Sequence, residues 1–384
     1  IHITLVGGQM MPVYLGIKNT NPDKIVLIHS SDSSQNAKQI EKVYTDKCRL
    51  VEFSPVDYEA IKSSIDKLLV EYKNDEISIN LSSGTKPWSI LFALQTQGKE
   101  NVTLLYIDQN NIFYDYTHHK KLESARLTML ELMRYNGYSP KSYVLLEDYS
   151  DEDFKMLERI KSARNKNIKV FNELTVLNKT QNNKFKNQKD GSFPASDGSY
   201  IKWNKNENTV LLYLKTKYGY KNFYFESPHV MQLIFNTGWF EYEVAKIVSG
   251  WEHAKEVWLN VIYPYDNQNP KNEIDVIINT GYKLFMIECK TQIADNTNID
   301  KFCTAVKTYG GLSSKAIFIT HAKMRDQVKE KCFDHKILNF SFAEYKCRQD
   351  AQKALFQLLD KKYNHGTKSI YLLFRIDQLF RDLL

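Results

Sequence analysis

The chain has 384 residues, 42% of them apolar and 25% charged, with 24 Tyr and 20 Phe; this excludes a disordered chain and favours two domains with their own cores. Lys and Arg number 52 against 45 Asp and Glu, a net +7 that suits a polyanionic partner but falls far short of a histone-like tail. No apolar run reaches the roughly 18 residues of a membrane helix. The five cysteines (Cys48, Cys289, Cys303, Cys332, Cys347) lack metal-binding spacing, and no basic segment precedes the apolar start; reduced thiols and a cytoplasmic location are expected.

Strands and helices alternate through the first half. Ile3–Val6 reads as a strand emptying into Gly7-Gly8-Gln9, and Met11–Ile17 as a helix. The strand Lys24–Ile28 ends in His29-Ser30-Ser31, ahead of a helix over about 34–44. After the strand Leu50–Phe53, Asp57 is placed to cap a helix whose apolar stripe is Ile61, Ile65, Leu68 and Leu69. The strand Ile77–Leu81 runs into Ser82-Ser83-Gly84-Thr85-Lys86-Pro87, followed by a helix carrying Ile90, Leu91, Ala93 and Leu94. Val102–Ile107 and Ile112–Tyr114 flank Asp108-Gln109-Asn110-Asn111, a hairpin signal. This order predicts a mostly parallel, doubly wound α/β sheet whose ligands bind at the carboxyl edge of the strands.

Three loops converge on that edge, contributing Gly8 and Gln9, Ser30 and Ser31, and Ser82, Ser83, Gly84, Thr85 and Lys86. In the last, Thr85 is expected to cap the next helix, Pro87 costs little in its first turn, and Gly84 turns the backbone so that amides, hydroxyls and one ammonium share a spot suited to an anion or nucleotide. A well-capped loop without a ligand is the plain alternative. The pattern is not a Walker A loop, since Thr follows Gly84.

The first domain is expected over 1–118, a connector of mixed helical character over 119–165, and the second domain over 166–384. Between Lys161 and Gly191 there are eight Lys or Arg, two acids and seven Asn. A solvated surface loop is expected there, with a flexible arm for a phosphate backbone as the alternative.

Further on, Glu273–Asn279 reads as a strand with Asp275 set into it, and Tyr282–Lys290 returns beside it. With a side-chain period of two, Glu288 and Lys290 face one way and Cys289 the other. An acid and a lysine ending an apolar strand are costly unless paired or metal-bound. A hairpin brings Asp275 beside Glu288, and two carboxylates sharing one site call for a cation, best a hard one such as Mg²⁺ or Mn²⁺. Lys290 would then orient or deprotonate a water, or offset transition-state charge. A helix opening at Gly238 offers Glu241 or Glu243 as a further carboxylate. An ordinary Glu–Lys pair on a surface hairpin is the alternative, and the apolar run Leu284–Ile287 argues against it.

On these residues the second half resembles the PD-(D/E)xK nuclease superfamily: Asp275, Glu288 and Lys290 match its core triad and Glu241 its helical acid. The Pro of that signature is replaced, Glu273-Ile274 preceding Asp275. The first half resembles the CARF sensor domain of CRISPR-associated effectors, whose hallmark loop matches Ser82–Lys86, with Gly8 and Gln9 matching the loop after its first strand. Together they resemble the single-CARF, homodimeric nucleases of type III CRISPR defence. The resemblance implies a Rossmann-like sensor joined to a restriction-endonuclease-like α/β domain. It also implies a cyclic oligoadenylate, most often the tetra-adenylate, bound across a CARF dimer, and metal-dependent cutting of DNA and in some members RNA. Two rival readings are a ligand-responsive nucleic-acid-binding regulator without cleavage, and a sensor that degrades its own activator with His29 as base.

Overall fold

The computed structural model describes residues 1–108, 111–264, 272–292, 297–311 and 314–363. They fall into two compact units, Ile1–Ser139 with 359–363, and Pro140–Leu358.

In the first unit β1 (His2–Leu5), α1 (Met11–Thr20), β2 (Ile25–His29), α2 (Ser34–Val43), β3 (Cys48–Glu52), α3 (Tyr58–Glu71), β4 (Ile77–Asn80), α4 (Lys86–Thr96) and β5 (Val102–Ile107) alternate as the periodicity predicts. The sheet order is β3-β2-β1-β4-β5, all parallel, extended antiparallel by β6 (Phe113–Asp115) and β7 (Lys120–Leu122). Strands buried on both faces are apolar throughout, as Ile25–Ile28 shows. Asp57 does cap α3, accepting from the Ala60 amide at 2.9 Å, and Ile61, Ile65, Leu68 and Leu69 are buried as expected. The hairpin expected after β5 forms, although Gln109 and Asn110 of its turn lie outside the described residues. The chain winds from β1 outward to β3, then returns to β4 on the other side of β1. The loops after β1 and β4 therefore flank the switch point of the sheet.

The second unit is built on a six-stranded sheet. It holds β8 (Ser142–Leu145), α6 (Asp151–Lys166), α7 (Ile168–Thr175), α8 (Lys179–Asn187), β9 (Asp190–Pro194), β10 (Tyr200–Asn204), β11 (Thr209–Thr216) and β12 (Gly219–Glu226). Then follow α9 (Val230–Ile234), α10 (Gly238–Val248), β13 (Glu256–Ile262), β14 (Glu273–Asn279), β15 (Leu284–Lys290), α11 (Thr297–Tyr309), β16 (Lys315–Thr320), α12 (Asp326–Asp334) and β17 (Leu338–Ser341). A last helix, α13, spans Arg348–Tyr363. The main sheet runs β17-β16-β15-β14-β13-β8, and β9–β12 form a separate four-stranded antiparallel sheet.

Two stretches differ from expectation. The segment 119–165 is shared out between the units instead of forming a connector. Strand β7 completes the first sheet, and helix α5 (Met129–Tyr135) packs in the same unit through Tyr135, whose ring stacks on Tyr14 at 3.7 Å and whose hydroxyl meets that of Tyr44 at 2.8 Å. Strand β8, by contrast, pairs with β13 as the edge of the other sheet. The Lys161–Gly191 stretch is neither loop nor arm: it folds into helices α7 and α8, started by Asn167 and Asn178, whose side-chain oxygens accept from the Val170 and Gln181 amides. Its asparagines are caps as much as solvated polar groups.

Candidate active site and ligand loops

The carboxylates sit where two antiparallel strands open at one end of the main sheet. Strands β14 and β15 pair as far as Val276 with Ile287, which leaves Asp275 and Glu288 adjacent at the next step. Asp275 is buried; its Oδ2 accepts from the Cys289 amide at 2.8 Å and from Lys290 Nζ at 3.2 Å. The same ammonium lies 2.5 Å from Glu288 Oε1 and donates to the Cys289 carbonyl at 3.1 Å. The Cys289 side chain points to the opposite, fully buried face, as the period of two requires.

The first turn of α10 supplies the next acid. Gly238 opens this helix because a Cβ there would collide with the Gln232 carbonyl. Of the two glutamates left open by the sequence, Glu243 is engaged elsewhere: Lys161 Nζ holds its Oε1 at 2.6 Å, and Arg348 lies 3.7 Å away. Glu241 is the one that feels the cluster. Burial, and after it the charge of Asp275, pushes its carboxyl well above the usual range.

Glu288 is pushed up to about 8, by burial first and by Asp275 second. For Lys290 burial opposes the charge, but Asp275 and then Glu288 outweigh it and raise the ammonium above an ordinary lysine. Asp275 and Glu288 share one ammonium and Glu241 feels their charge, so these carboxylates are short of positive charge. That is the donor chemistry a hard divalent cation fits, and Asp275, Glu288 and Glu241 are the residues that would hold it. As an ammonium this close to both carboxylates, Lys290 is placed to orient a water or offset charge.

Several neighbours carried no motif. Glu273, on the same face of β14 as Asp275, adds its charge to that on Glu241 and Glu288. His321 donates its amide to the Lys290 carbonyl at 3.0 Å, and its ring packs edge-on against Trp239 and Phe240 beside Glu241. Arg164 is buried with its guanidinium 5.1 Å from the Trp239 ring. Only the i, i+2 spacing of Glu273 and Asp275 was visible in advance.

In the first unit the loops after β1 and β4 are tied to each other. The Gly7 amide donates to Ser83 Oγ at 3.1 Å, and Ser83 Oγ donates to the Gln9 carbonyl at 3.0 Å. Asn36, on α2, holds the Gly7 carbonyl at 2.8 Å. Gly84 has φ +77°, and a Cβ there would lie 2.7 Å from the Trp88 ring and 2.8 Å from Leu5, so the position needs glycine. Gly8, Gln9, Ser31, Gly84 and Lys86 are exposed along this edge.

Other expected contacts are committed inside the fold. Ser82 Oγ donates to Asn80 Oδ1 at 2.5 Å and accepts from the Ile107 amide at 2.6 Å. Ser30 is buried against Ser33 Oγ, and His29 Nδ1 meets the Ser30 carbonyl at 3.0 Å. Thr85 occupies the N-cap position of α4 with extended backbone but makes no capping bond, its hydroxyl being buried without a partner among the described residues. The expected cap is therefore not made by that side chain; Pro87 does sit in the first turn. Asn80, which bridges Ser82 to the Pro12 carbonyl at 2.9 Å, is the organising residue that sequence reading missed.

Residues 1–135 match the family model of the Card1 CARF domain, and residues 230–341 that of the Card1-like endonuclease domain. Among solved structures the chain is similar to Can2 from Sulfobacillus thermosulfidooxidans in complex with cyclic tetra-adenylate, with 16% identity, a TM-score of 0.62, and coverage of 94% of this chain and 99% of that one. Protein VC1899 from Vibrio cholerae gives 16% identity and a TM-score of 0.69, over 94% and 98% of the two chains. A type III CRISPR defence DNA nuclease activated by cyclic oligoadenylate gives 13% identity and a TM-score of 0.53, over 83% of this chain and 45% of that one. A search of curated proteins returned no match. Among the described residues no helix is long and apolar enough to cross a membrane.

Proposed function

We propose that this chain, which carries a Card1-type CARF domain and a Card1-like endonuclease domain, is a nuclease switched on by a cyclic oligoadenylate and dependent on Mg²⁺ or Mn²⁺, acting on DNA, with RNA as the second candidate substrate, in antiviral defence. The observation that carries the reading is the meeting of Asp275, Glu288 and Lys290, whose charges Glu241 feels, at the open end of β14 and β15. When bound, the cation supplies Lewis acidity toward a phosphodiester and lowers the pKa of a water. The chain's own part is to bring the carboxylates together, to keep Lys290 charged beside the reacting phosphate, and to wall the site with Trp239, Phe240 and His321.

For the activator, the linked Gly7–Gln9 and Ser83–Lys86 loops offer amides, a hydroxyl and the Lys86 ammonium at the switch point of the sheet. A ring with internal symmetry suits a two-fold pair of such edges. Helix α4, which starts at Lys86, exposes Ile90 (58%) and Leu94 (63%) one turn apart, and a second copy packed on that face would bury both. The proposed ligand set is accordingly Gly8, Gln9, Ser31, Ser83, Gly84 and Lys86 from each protomer. Ser30, Ser82 and Thr85 shape the loops from within.

The test is a cleavage assay on labelled single- and double-stranded DNA and RNA, with and without cyclic tetra-adenylate, in Mg²⁺, Mn²⁺ or EDTA. Cutting that requires both ring and cation and disappears in Glu288→Ala supports the proposal. Cutting in EDTA, or undiminished cutting by Glu288→Ala and Lys290→Ala, would overturn it. Ligand-dependent binding of nucleic acid with no product would instead identify a regulator.

A further inference from the structure

We propose that Asn260 is a positioning residue of the carboxylate site, its side-chain oxygen accepting a hydrogen bond from a water in the shell of the divalent cation. The inference rests on the reading of the chain as a cation-dependent nuclease and deepens it, adding one neutral oxygen to the charged ones.

Strand register places the residue. Strands β13 and β14 pair Leu259 with Val276 and Val261 with Ile274, so the residue opposite Asp275 is Asn260. Strands β14 and β15 pair Val276 with Ile287, which sets Asp275 against Glu288. Asn260, Asp275 and Glu288 therefore form one row across three strands. Side chains alternate, so Asn260 shares its face of β13 with Trp258 and Ile262, while Leu259 and Val261 are buried on the other. Opposite residues of an antiparallel pair have Cβ atoms about 4.5–5.5 Å apart, close enough for a carboxamide and a carboxylate to reach the same water.

Two features set Asn260 apart from an ordinary strand residue. Its φ is +50°, in the left-handed region, although it lies in the interior of β13. The irregularity falls on the β8 side, where the pairing shifts between Leu259 and Ile262, and the register with β14 is kept. A bulge of this kind bends a strand and re-aims a side chain, and asparagine tolerates the conformation better than most residues other than glycine. The second feature is the side-chain oxygen, which is buried and has no hydrogen-bond partner among the described residues. A carboxamide oxygen withdrawn from water and left unbonded is costly, and glycine would make the same bulge without that cost.

The chain itself has no donor to spare for that oxygen in this row. Lys290 Nζ directs its three hydrogens at Glu288 Oε1 (2.5 Å), Asp275 Oδ2 (3.2 Å) and the Cys289 carbonyl (3.1 Å). Carboxylates ionised around a cation only accept. A water whose lone pair faces a hard cation turns its hydrogens outward, and Mg²⁺ held by carboxylates keeps several such waters. A neutral acceptor fixes one of them without adding a further negative charge to the cluster.

The test separates the backbone from the carboxamide. Asn260→Gly keeps the bulge and removes the oxygen, whereas Asn260→Asp keeps an oxygen at the same reach. Mn²⁺ affinity of the full chain is measured by calorimetry without nucleic acid, and folding by urea titration in EDTA. Asn260→Gly should unfold at or above the wild-type urea midpoint and yet bind Mn²⁺ about 10–100-fold more weakly, the loss usual for groups that support a metal's first shell. Asn260→Asp should bind at least as tightly as wild type. Glu243→Gln, which loosens Lys161 outside the cluster, should lose stability and keep its Mn²⁺ affinity. In activated protein at saturating Mn²⁺, Asn260→Gly should lower kcat with KM for nucleic acid unchanged. Wild-type Mn²⁺ affinity in folded Asn260→Gly, or a loss that Asn260→Asp shares in full, would overturn the proposal and leave the nuclease reading intact. A fall in the urea midpoint of Asn260→Gly that accompanies the lost affinity would also overturn it, since the side chain would then serve the strand alone. Because Mn²⁺ binding is read without cleavage, a chain that bound Mn²⁺ through Asn260 but never cut would sink the nuclease reading and leave this role standing.

Discussion

Replacing Lys290 by Met is the perturbation whose size the geometry sets most directly. The ammonium stands 2.5 Å from Glu288 and 3.2 Å from Asp275. At an effective dielectric constant of about 20 those separations correspond to attractions of roughly 7 and 5 kcal/mol, much of which is offset by the cost of burying the ammonium itself. Removing one partner of a buried pair typically costs about 3–5 kcal/mol, because the remaining charge is left uncompensated. Here the carboxylates have an escape by protonation. The cost should therefore be small at pH 6, where Glu288, with its pKa near 8, already carries a proton, and should grow to about 3 kcal/mol at pH 9. Manganese should restore most of the loss at pH 9, since a cation then takes over the compensating charge. Urea titrations of Lys290→Met and wild type at both pH values, with and without Mn²⁺, read the effect. Equal stability of the two proteins at pH 9, or a loss that Mn²⁺ leaves untouched, would refute the reasoning.

Three further outcomes follow from the same coordinates. Glu241→Gln should abolish cleavage, whereas Glu243→Gln, which only loosens Lys161 and Arg348, should lower thermal stability and keep measurable cutting; the two kinetic assays read this directly. Because Glu288 titrates near 8 when folded against about 4.5 otherwise, its contribution favours the cation-free fold below pH 4.5 and is lost as pH rises toward 8, so apparent Mn²⁺ affinity measured by calorimetry should increase over that window with proton release. Gly84→Ala should cost about 2–4 kcal/mol, from the left-handed backbone and from contact with Trp88 and Leu5, and should weaken cyclic tetra-adenylate binding; a loss below about 0.5 kcal/mol by denaturation would contradict the loop geometry.

Where burial imposed a period, the sequence was readable. The apolar runs of β1, β2, β4 and β5, the stripe on α3 and the acid-bearing hairpin of β14 and β15 each have a physical reason to show the pattern that reveals them. The pairing of Asp275 with Glu288 and Lys290 followed from that hairpin. Strands β7 and β8 escaped notice because three- and four-residue edge strands carry too few side chains for a period. The β9–β12 sheet was hidden for a different reason. Strand β9 contains Gly191 and Pro194, residues that argue against a strand, and β12 is an exposed edge with tyrosine and lysine among its few apolar residues. The choice between Glu241 and Glu243 depended on Lys161, about eighty residues earlier in the chain, and no local pattern encodes that. Likewise the commitment of Ser82 to Asn80 and Ile107 is a tertiary fact.

The most direct measurement is an anomalous-scattering map from crystals of this chain soaked in Mn²⁺. The account predicts a peak about 2.1 Å from carboxylate oxygens of Asp275 and Glu288, with Glu241 turned toward it, that vanishes in Glu288→Gln. A peak held by other residues, or none at this cluster at saturating Mn²⁺, would contradict it.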